Sequence, residues 1–201
     1  MGLCIHYRGK IKNAVYLPLL VEDIKEICSI YKWEYRIEET SFPTDTLDNQ
    51  ESFNIIYGIS FTPPKCETIS LTFLSNGVMV CPTRIRFFGN SKKETERNYI
   101  YLLSTKTQFA GMATHAIIIN LFRYLNKKYL ADFEMIDESK YWETADENVL
   151  RKNFNMYDAL LDNFALSLET FPMEEDENMI SYFERLMENV NRLNKRCQHN
   201  S

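Results

Sequence analysis

The spacing of the apolar residues changes near residue 140, and this change constrains the fold more than any other feature of the chain. In the first part, apolar and polar residues alternate over short segments, as in Leu3, Ile5 and Tyr7. That period is typical of a strand with one buried face. From Leu150 to Phe171, apolar residues recur every third or fourth position, which is helical spacing. The sequence therefore predicts a sheet-rich part followed by a helical part.

Turn and cap signals divide these two parts into elements in the order βαβββββαβαα. Asn76-Gly77 is typical of a type I′ hairpin turn, and Pro82 in the following strand implies an edge strand or a bulge. Thr144 and Glu147 match a helix capping box. The predicted strands are residues 2–12, 33–38, 55–62, 68–74, 78–87, 99–103 and 133–136, and the predicted helices are residues 18–31, 112–129, 144–171 and a last one around 183–193.

This order predicts an α+β fold, because hairpin-joined strands precede segregated helices. We expect a mixed or mainly antiparallel sheet of about 5–7 strands, helices packed on it and a C-terminal antiparallel helix pair. We expect residues 1–201 to form a single domain, with residues 1–140 as its sheet-rich part and residues 141–196 as its helical C-terminal part.

Charge and cysteine usage limit the classes of function. The net charge is −5 over 201 residues and there is no run of Lys or Arg, so nucleic acid is not an expected partner. The odd number of cysteines, without close pairs or an N-terminal signal sequence, favours reduced thiols in a cytoplasmic protein. The apolar runs are too short for a membrane span, so no membrane partner is expected either.

The most unusual local composition is an acidic segment between residues 132 and 147 that also contains aromatic side chains. Rings can anchor a basic partner and acids can steer it, so we predict a partner-binding surface here. The alternative is a solvated linker whose Trp142 packs in the core and whose Asp146 and Glu147 serve the helix dipole. The predicted partner-binding residues are Asp132, Glu134, Asp137, Glu138, Tyr141, Trp142 and Glu143.

A second candidate site is the loop from Ser104 to Gly111, between a predicted strand and a predicted helix. Free helix N–H groups and a lysine could bind an anion there, and the alternative is an ordinary turn with capping hydroxyls. The candidate ligand-binding residues are His6, Lys106, Gln108 and His115. Cys4 beside His6 could also act as a nucleophile and its base, or form an ordinary strand face. The sequence predicts no catalytic residue, metal site or cofactor.

Four stretches resemble segments of a family of uncharacterised bacterial proteins of about this length. They are residues 2–7 (GLCIHY), 57–64 (YGISFTPP), 104–111 (STKTQFAG) and 141–144 (YWET). The resemblance implies a bacterial, cytoplasmic setting and carries over no activity or site residue.

These observations lead to a functional hypothesis with two alternatives. We expect a non-catalytic protein-binding module that uses the acidic and aromatic surface to bind a basic protein, with a toxin-neutralising (immunity-type) protein as one example. The first alternative is a small enzyme or anion-binding protein that uses residues 104–115. The second is a homo-oligomeric structural protein joined through its long helices.

Overall fold

The architecture is α+β, with six strands and seven α-helices in the described part of the chain. The computed structural model describes residues 2–49 and 52–199, with side chains as far as Arg192. The strands are β1 (Cys4–Ile11), β2 (Glu34–Ile37), β3 (Tyr57–Thr62), β4 (Ile69–Phe73), β5 (Leu103–Lys106) and β6 (Leu130–Asp137). The α-helices are α1 (Tyr16–Tyr31), α2 (Pro82–Phe88), α3 (Glu94–Arg97), α4 (Gly111–Lys128), α5 (Tyr141–Thr144), α6 (Glu147–Thr170) and α7 (Met179–His199). The predicted class and strand number are confirmed, and α6 packs against α7 as the predicted C-terminal pair.

The strands form two antiparallel sheets of three strands each, where we expected one larger sheet. The strand orders are β5-β1-β6 and β2-β3-β4. Isolated bridges connect each sheet to the segment around residue 79, from Lys10 to Val78 and from Phe73 to Met79. The segment around residue 79 lies between β1 and β4 and is too short to join the sheets into one ladder.

The prediction of a strand over residues 78–87 is wrong beyond its first residues. Gly77 N–H donates to the Leu74 carbonyl at 2.8 Å and Leu74 N–H donates to the Val78 carbonyl at 3.0 Å, so a turn is present. Gly77 has a positive φ but Asn76 does not, which excludes type I′. The chain then enters α2 at Pro82, because proline cannot donate to a ladder but fits the first helical turn.

Two further boundaries differ from the sequence prediction. Residues Asn98–Tyr101 form a 3₁₀ turn, and the strand that follows is displaced to β5. Thr144 ends α5 and does not cap α6. The N-cap of α6 is Asp146, whose carboxylate accepts the Asn148 N–H at 2.8 Å, because an aspartate carboxylate satisfies a free helix N–H well.

The core lies between the sheets and the helices α1 and α4. Leu3, just before β1, and Ile5 and Tyr7 of β1 are buried, and the alternate residues point outward, as the predicted period requires. Phe122 of α4 packs between the Tyr7 ring, at 4.8 Å between centroids, and the Phe133 ring, at 5.7 Å. Helix α4 therefore covers the inner face of sheet β5-β1-β6. No helix within the described residues is long and apolar enough to cross a membrane.

Candidate functional site

The outward face of sheet β5-β1-β6 places basic side chains of β1 close to acids of β6 and of the residue that follows it. Arg8 forms a salt bridge with Glu134 at 2.6 Å. Lys10 lies 3.4 Å from Asp132, and His6 lies 3.7 Å from Glu138. The antiparallel register of the two strands places Arg8 directly opposite Glu134. These charges are therefore largely compensated within the sheet.

An open groove of about 510 Å³ lies on the same face, and we call it the outer groove. Two of its residues, Leu102 and Ile136, are large, apolar and exposed, and 62% of the Ile136 surface is accessible. Arg84 lies at the groove and donates to the Leu102 carbonyl at 2.6 Å. No carboxylate among the described residues forms a salt bridge with Arg84. The outer groove thus combines an apolar surface with one uncompensated cation.

The predicted acidic and aromatic surface is not a single surface, which corrects the sequence-based assignment. Asp132, Glu134 and Glu138 point outward but face bases of β1. Asp137 and Tyr141 are buried. Trp142 is half-buried with its ring 5.8 Å from that of Phe133, and Glu143 is exposed. The reason is the period of β6, whose successive side chains alternate between the two faces of the sheet.

Asp137 is the centre of a buried hydrogen-bond network. Its carboxylate accepts the Ser139 hydroxyl at 2.7 Å and the backbone N–H groups of Ser139, Tyr141 and Trp142 at 2.8, 2.9 and 3.0 Å. His115 Nε2 lies 3.3 Å from the carboxylate and 2.8 Å from Ser139 Oγ. Asp137 therefore joins α4 to the connection between β6 and α5.

Serine, histidine and aspartate are the residue types of a hydrolytic triad, but this arrangement does not suit nucleophilic attack. A nucleophilic serine donates its proton to the histidine and is open to substrate. Here the Ser139 hydroxyl donates to Asp137, and Ser139, His115 and Asp137 are all inaccessible to solvent. Thr107 Oγ1 occupies the other side of the imidazole, 2.8 Å from Nδ1. The network holds the backbone in place and offers no route to a substrate.

The network predicts an unusually acidic carboxyl group. Burial raises the pKa of Asp137. This effect is outweighed by hydrogen bonds from His115 and Ser139, by the charge interaction with His115 and by the hydrogen bond from the Trp142 N–H. Together they lower the pKa from 3.8 to about 2. The ionised network therefore stabilises the fold at pH values above the ordinary pKa of 3.8, and this contribution is lost as the pH falls through the lowered pKa of about 2. A titration of the side-chain carboxyl carbon by NMR should show Asp137 ionised at pH values where exposed aspartates are protonated. A midpoint near 4 would contradict this geometry.

The structure places two of the four candidate ligand-binding residues, Gln108 and His115, in the interior, where other side chains engage them. Gln108 is buried, accepts the Leu3 N–H at 3.0 Å and donates to Asp158 at 2.6 Å. His115 belongs to the Asp137 network, and the Lys106 ammonium lies 5.0 Å from the centre of the Phe109 ring. Of the four candidates only His6 lines the outer groove. The polar groups of the loop are thus largely engaged by the protein itself.

The thiol of Cys4 is not activated for nucleophilic attack. Burial raises the pKa of Cys4, and the charges of Glu138 and Glu67 raise it further. A raised pKa lowers the fraction of reactive thiolate. Within the described residues, no group of three or more His, Cys, Asp and Glu side chains could hold a metal ion.

Three residues of the outer groove were not predicted from the sequence as site residues: Arg84, Leu102 and Ile136. Ile136 gave a usable signal, because its neighbour Met135 is also apolar and adjacent residues of a strand face opposite sides. One of the two therefore had to point outward. Arg84 and Leu102 lay in segments predicted to be strands, and no pattern in the sequence related them to β1.

No protein-family model, curated protein or solved structure matches this chain.

Proposed function

We propose that this chain is a protein-binding module and that its partner docks on the outer groove. The observation that carries the proposal is the exposure of Ile136 and Leu102 at an open groove on the outward face of sheet β5-β1-β6. Exposed large apolar side chains with a charged rim are typical of the centre of a protein interface. A toxin that this chain neutralises would be one such partner.

The groove favours a partner that brings an apolar side chain together with a carboxylate. The apolar side chain would lie between Leu102 and Ile136, and the carboxylate would pair with Arg84, whose charge no described acid compensates. This differs from the basic partner expected from the sequence, because the acids of β6 already pair with Arg8 and Lys10. Apolar anchors supply most of the binding energy and rim charges supply orientation.

Intramolecular hydrogen bonds engage the charged side chains around the groove. The Arg8 guanidinium contacts Glu134 with both Nε and Nη2, at 2.9 and 2.6 Å, and Arg84 is held by the Leu102 and Tyr99 carbonyls. A partner then pays little conformational entropy to order these side chains on binding. A prearranged surface of this kind suits recognition by docking.

Ile136→Asp should weaken partner binding by about tenfold or more without lowering stability, because a truncated or charged interface anchor typically costs about 2 kcal/mol or more. The matched control is Ile30→Asp on α1, because Ile30 is 73% exposed and lies on another surface. To test this expectation, native cell protein is captured quantitatively on wild-type and variant chains. The dissociation constant of each captured partner is then measured.

Arg84→Glu should also weaken partner binding, most strongly at low salt.

Equal capture by wild-type protein and Ile136→Asp would exclude the outer groove as the binding site. A groove of about 510 Å³ is also large enough for a small ligand. If the groove binds a small ligand and not a protein, no protein would be retained in stoichiometric amount. A metabolite mixture would then raise the melting temperature of the wild type but not of Ile136→Asp. That result would replace the protein-binding proposal with the ligand-binding alternative.

A further inference from the structure

The outward face of sheet β2-β3-β4 carries a group of small hydroxyl side chains. Apolar residues alternate with small polar ones along β3 and β4, and the apolar residues are buried. The opposite face of these strands therefore presents Ser60 and Thr62 of β3 and Ser70 of β4, with Thr68 directly before β4. We call these four residues the hydroxyl cluster. The antiparallel register places Ser60 opposite Ser70, and the same register brings Thr68 beside Thr62.

The members of the hydroxyl cluster bond to each other in pairs and keep capacity for a further partner. Ser60 Oγ donates to Ser70 Oγ at 3.2 Å, and the hydroxyl oxygens of Thr62 and Thr68 lie 2.9 Å apart. A hydroxyl group has one O–H donor and two acceptor lone pairs, so each pair retains a donor and several lone pairs. The cluster therefore offers hydrogen-bond donors and acceptors side by side without any charge.

The hydroxyl cluster lines an open groove of about 470 Å³, which we call the polar groove. Longer side chains also line it, among them Glu34 and Arg36 of β2 and Arg86 of α2. Because serine and threonine are short, the sheet face is lower at the cluster than at these longer neighbours. A groove of this volume lies within the range of roughly 300–1,000 Å³ that is typical of small-ligand sites.

The charges of the polar groove cancel, and this limits the ligand that it can bind. Two arginines and two glutamates line it, and Glu38 is paired with Arg36 at 2.9 Å. Glu34 and Arg86 are exposed, and neither forms a salt bridge or a side-chain hydrogen bond within the described residues. An anion would be attracted by Arg86 and repelled by Glu34, and a cation the reverse. The groove therefore favours an uncharged ligand that both accepts and donates hydrogen bonds.

We propose that the polar groove binds a carbohydrate, at a site separate from the outer groove. A sugar ring carries several hydroxyl groups, each of them a donor and an acceptor, and its C–H faces are apolar. The hydroxyl cluster binds the sugar hydroxyls, and Glu34 and Arg86 add a charged acceptor and a charged donor, which form stronger hydrogen bonds than neutral groups. Pro82 of α2 also lines the groove and provides an apolar contact for a C–H face.

Neutral oligosaccharides should bind to the full chain and change the amide NMR signals of residues 60–70. The probes are maltotriose, cellotriose, mannotriose, lactose and chitotriose, each titrated into the millimolar range. Affinity for at least one of them is expected, with the largest shifts at the hydroxyl cluster. If none of the five binds, or if the shifts lie away from this cluster, the proposal is wrong.

Joint replacement of Thr62→Val and Thr68→Val should weaken saccharide binding by about tenfold or more, because it removes two hydroxyl partners of the sugar. Valine keeps the branched shape and the strand preference of threonine, so the urea midpoint should stay close to that of the wild type. The matched control is Thr44→Val with Thr46→Val, a second exposed pair whose hydroxyl oxygens lie 3.5 Å apart in a loop outside the polar groove. Equal affinity in the two double variants would overturn the proposal.

Two charge variants distinguish a sugar site from an anion site. An uncharged sugar uses both groups, so Glu34→Ala and Arg86→Ala should each weaken saccharide binding. Inorganic phosphate is the comparison probe, and an anion site would lose affinity for it in Arg86→Ala and gain affinity in Glu34→Ala. Phosphate binding with these opposite effects, in a chain that binds none of the saccharides, would replace the proposal with an anion site.

The polar groove and the outer groove adjoin at Ser104, which lines both, and their functions can be tested separately. Ile136→Asp should lose the protein partner and keep its affinity for the saccharide. The joint Thr62→Val and Thr68→Val variant should lose the saccharide and keep the partner. Loss of saccharide binding in Ile136→Asp, in a chain with an unchanged urea midpoint, would contradict a separate site.

Discussion

Replacing Asp137 with alanine should lower the free energy of unfolding by about 3–5 kcal/mol, because it leaves buried donors without an acceptor. The carboxylate accepts the Ser139 hydroxyl and three backbone N–H groups, and it lies beside the buried imidazole of His115. The donors of Ser139 and His115 cannot turn to water, since both residues are inaccessible. Urea denaturation followed by circular dichroism measures the loss.

The matched control is Glu134→Ala, which removes another acid of the same strand. Glu134 pairs with Arg8 in an exposed salt bridge, and such pairs contribute about 0–1 kcal/mol. The two variants should therefore differ by several-fold in their effect on the urea midpoint. Similar midpoints would mean that the Asp137 network adds no more stability than a surface ion pair. Partner binding by Glu134→Ala, in turn, reports on the outer groove, because Glu134 lines it.

Phe122→Ala should lower the free energy of unfolding by about 3–5 kcal/mol, because removal of a fully buried aromatic ring leaves a cavity and loses the ring's transfer free energy. The ring is inaccessible and contacts Tyr7 of β1 and Phe133 of β6, so it joins α4 to the sheet that carries the outer groove. The same loss should appear in thermal and urea unfolding.

Phe87→Ala provides the control for this substitution. It removes the same ring from α2, where the side chain is 76% exposed, and changes at exposed sites usually fall within about 0.5 kcal/mol. A Phe122→Ala variant as stable as Phe87→Ala would show that α4 does not pack on β1 and β6 as described.

Long segments with a clear period were predicted well from the sequence. The alternation of Leu3, Ile5 and Tyr7 places those side chains in the core, and the helical spacing of residues 112–129 corresponds to α4 within one residue at each end. Such segments bury one continuous face, so the pattern of apolar residues and the local backbone preference agree.

Short apolar segments were predicted poorly. Residues 78–87 and 99–103 contain enough large apolar side chains for a strand, yet they form the α2 helix and a 3₁₀ turn. A short apolar run is compatible with either structure, and its contacts with the rest of the fold decide between them. Cys81 N–H donates to the Ile100 carbonyl at 2.8 Å, so the two mispredicted segments contact each other.

The candidate sites, like the short segments, depend on contacts that are distant in sequence. Composition alone suggested that residues 132–147 act together, but the register of β6 against β1 sends Asp137 inward and brings Glu134 beside Arg8. That register is a contact between residues more than a hundred positions apart, and no local pattern contains it.

The chain's own patterns establish the α+β class, the buried face of β1 and the two C-terminal helices, because each follows from a period that a strand or helix imposes on its neighbours in sequence. Which face of a sheet stays uncovered depends instead on which helices reach it. In the sequence, Ile136 is an ordinary apolar residue of a strand. It is exposed because α4 packs on the opposite face of the sheet. The outer groove and the Asp137 network are therefore products of packing between distant segments, where burial and hydrogen bonding are settled by neighbours in space.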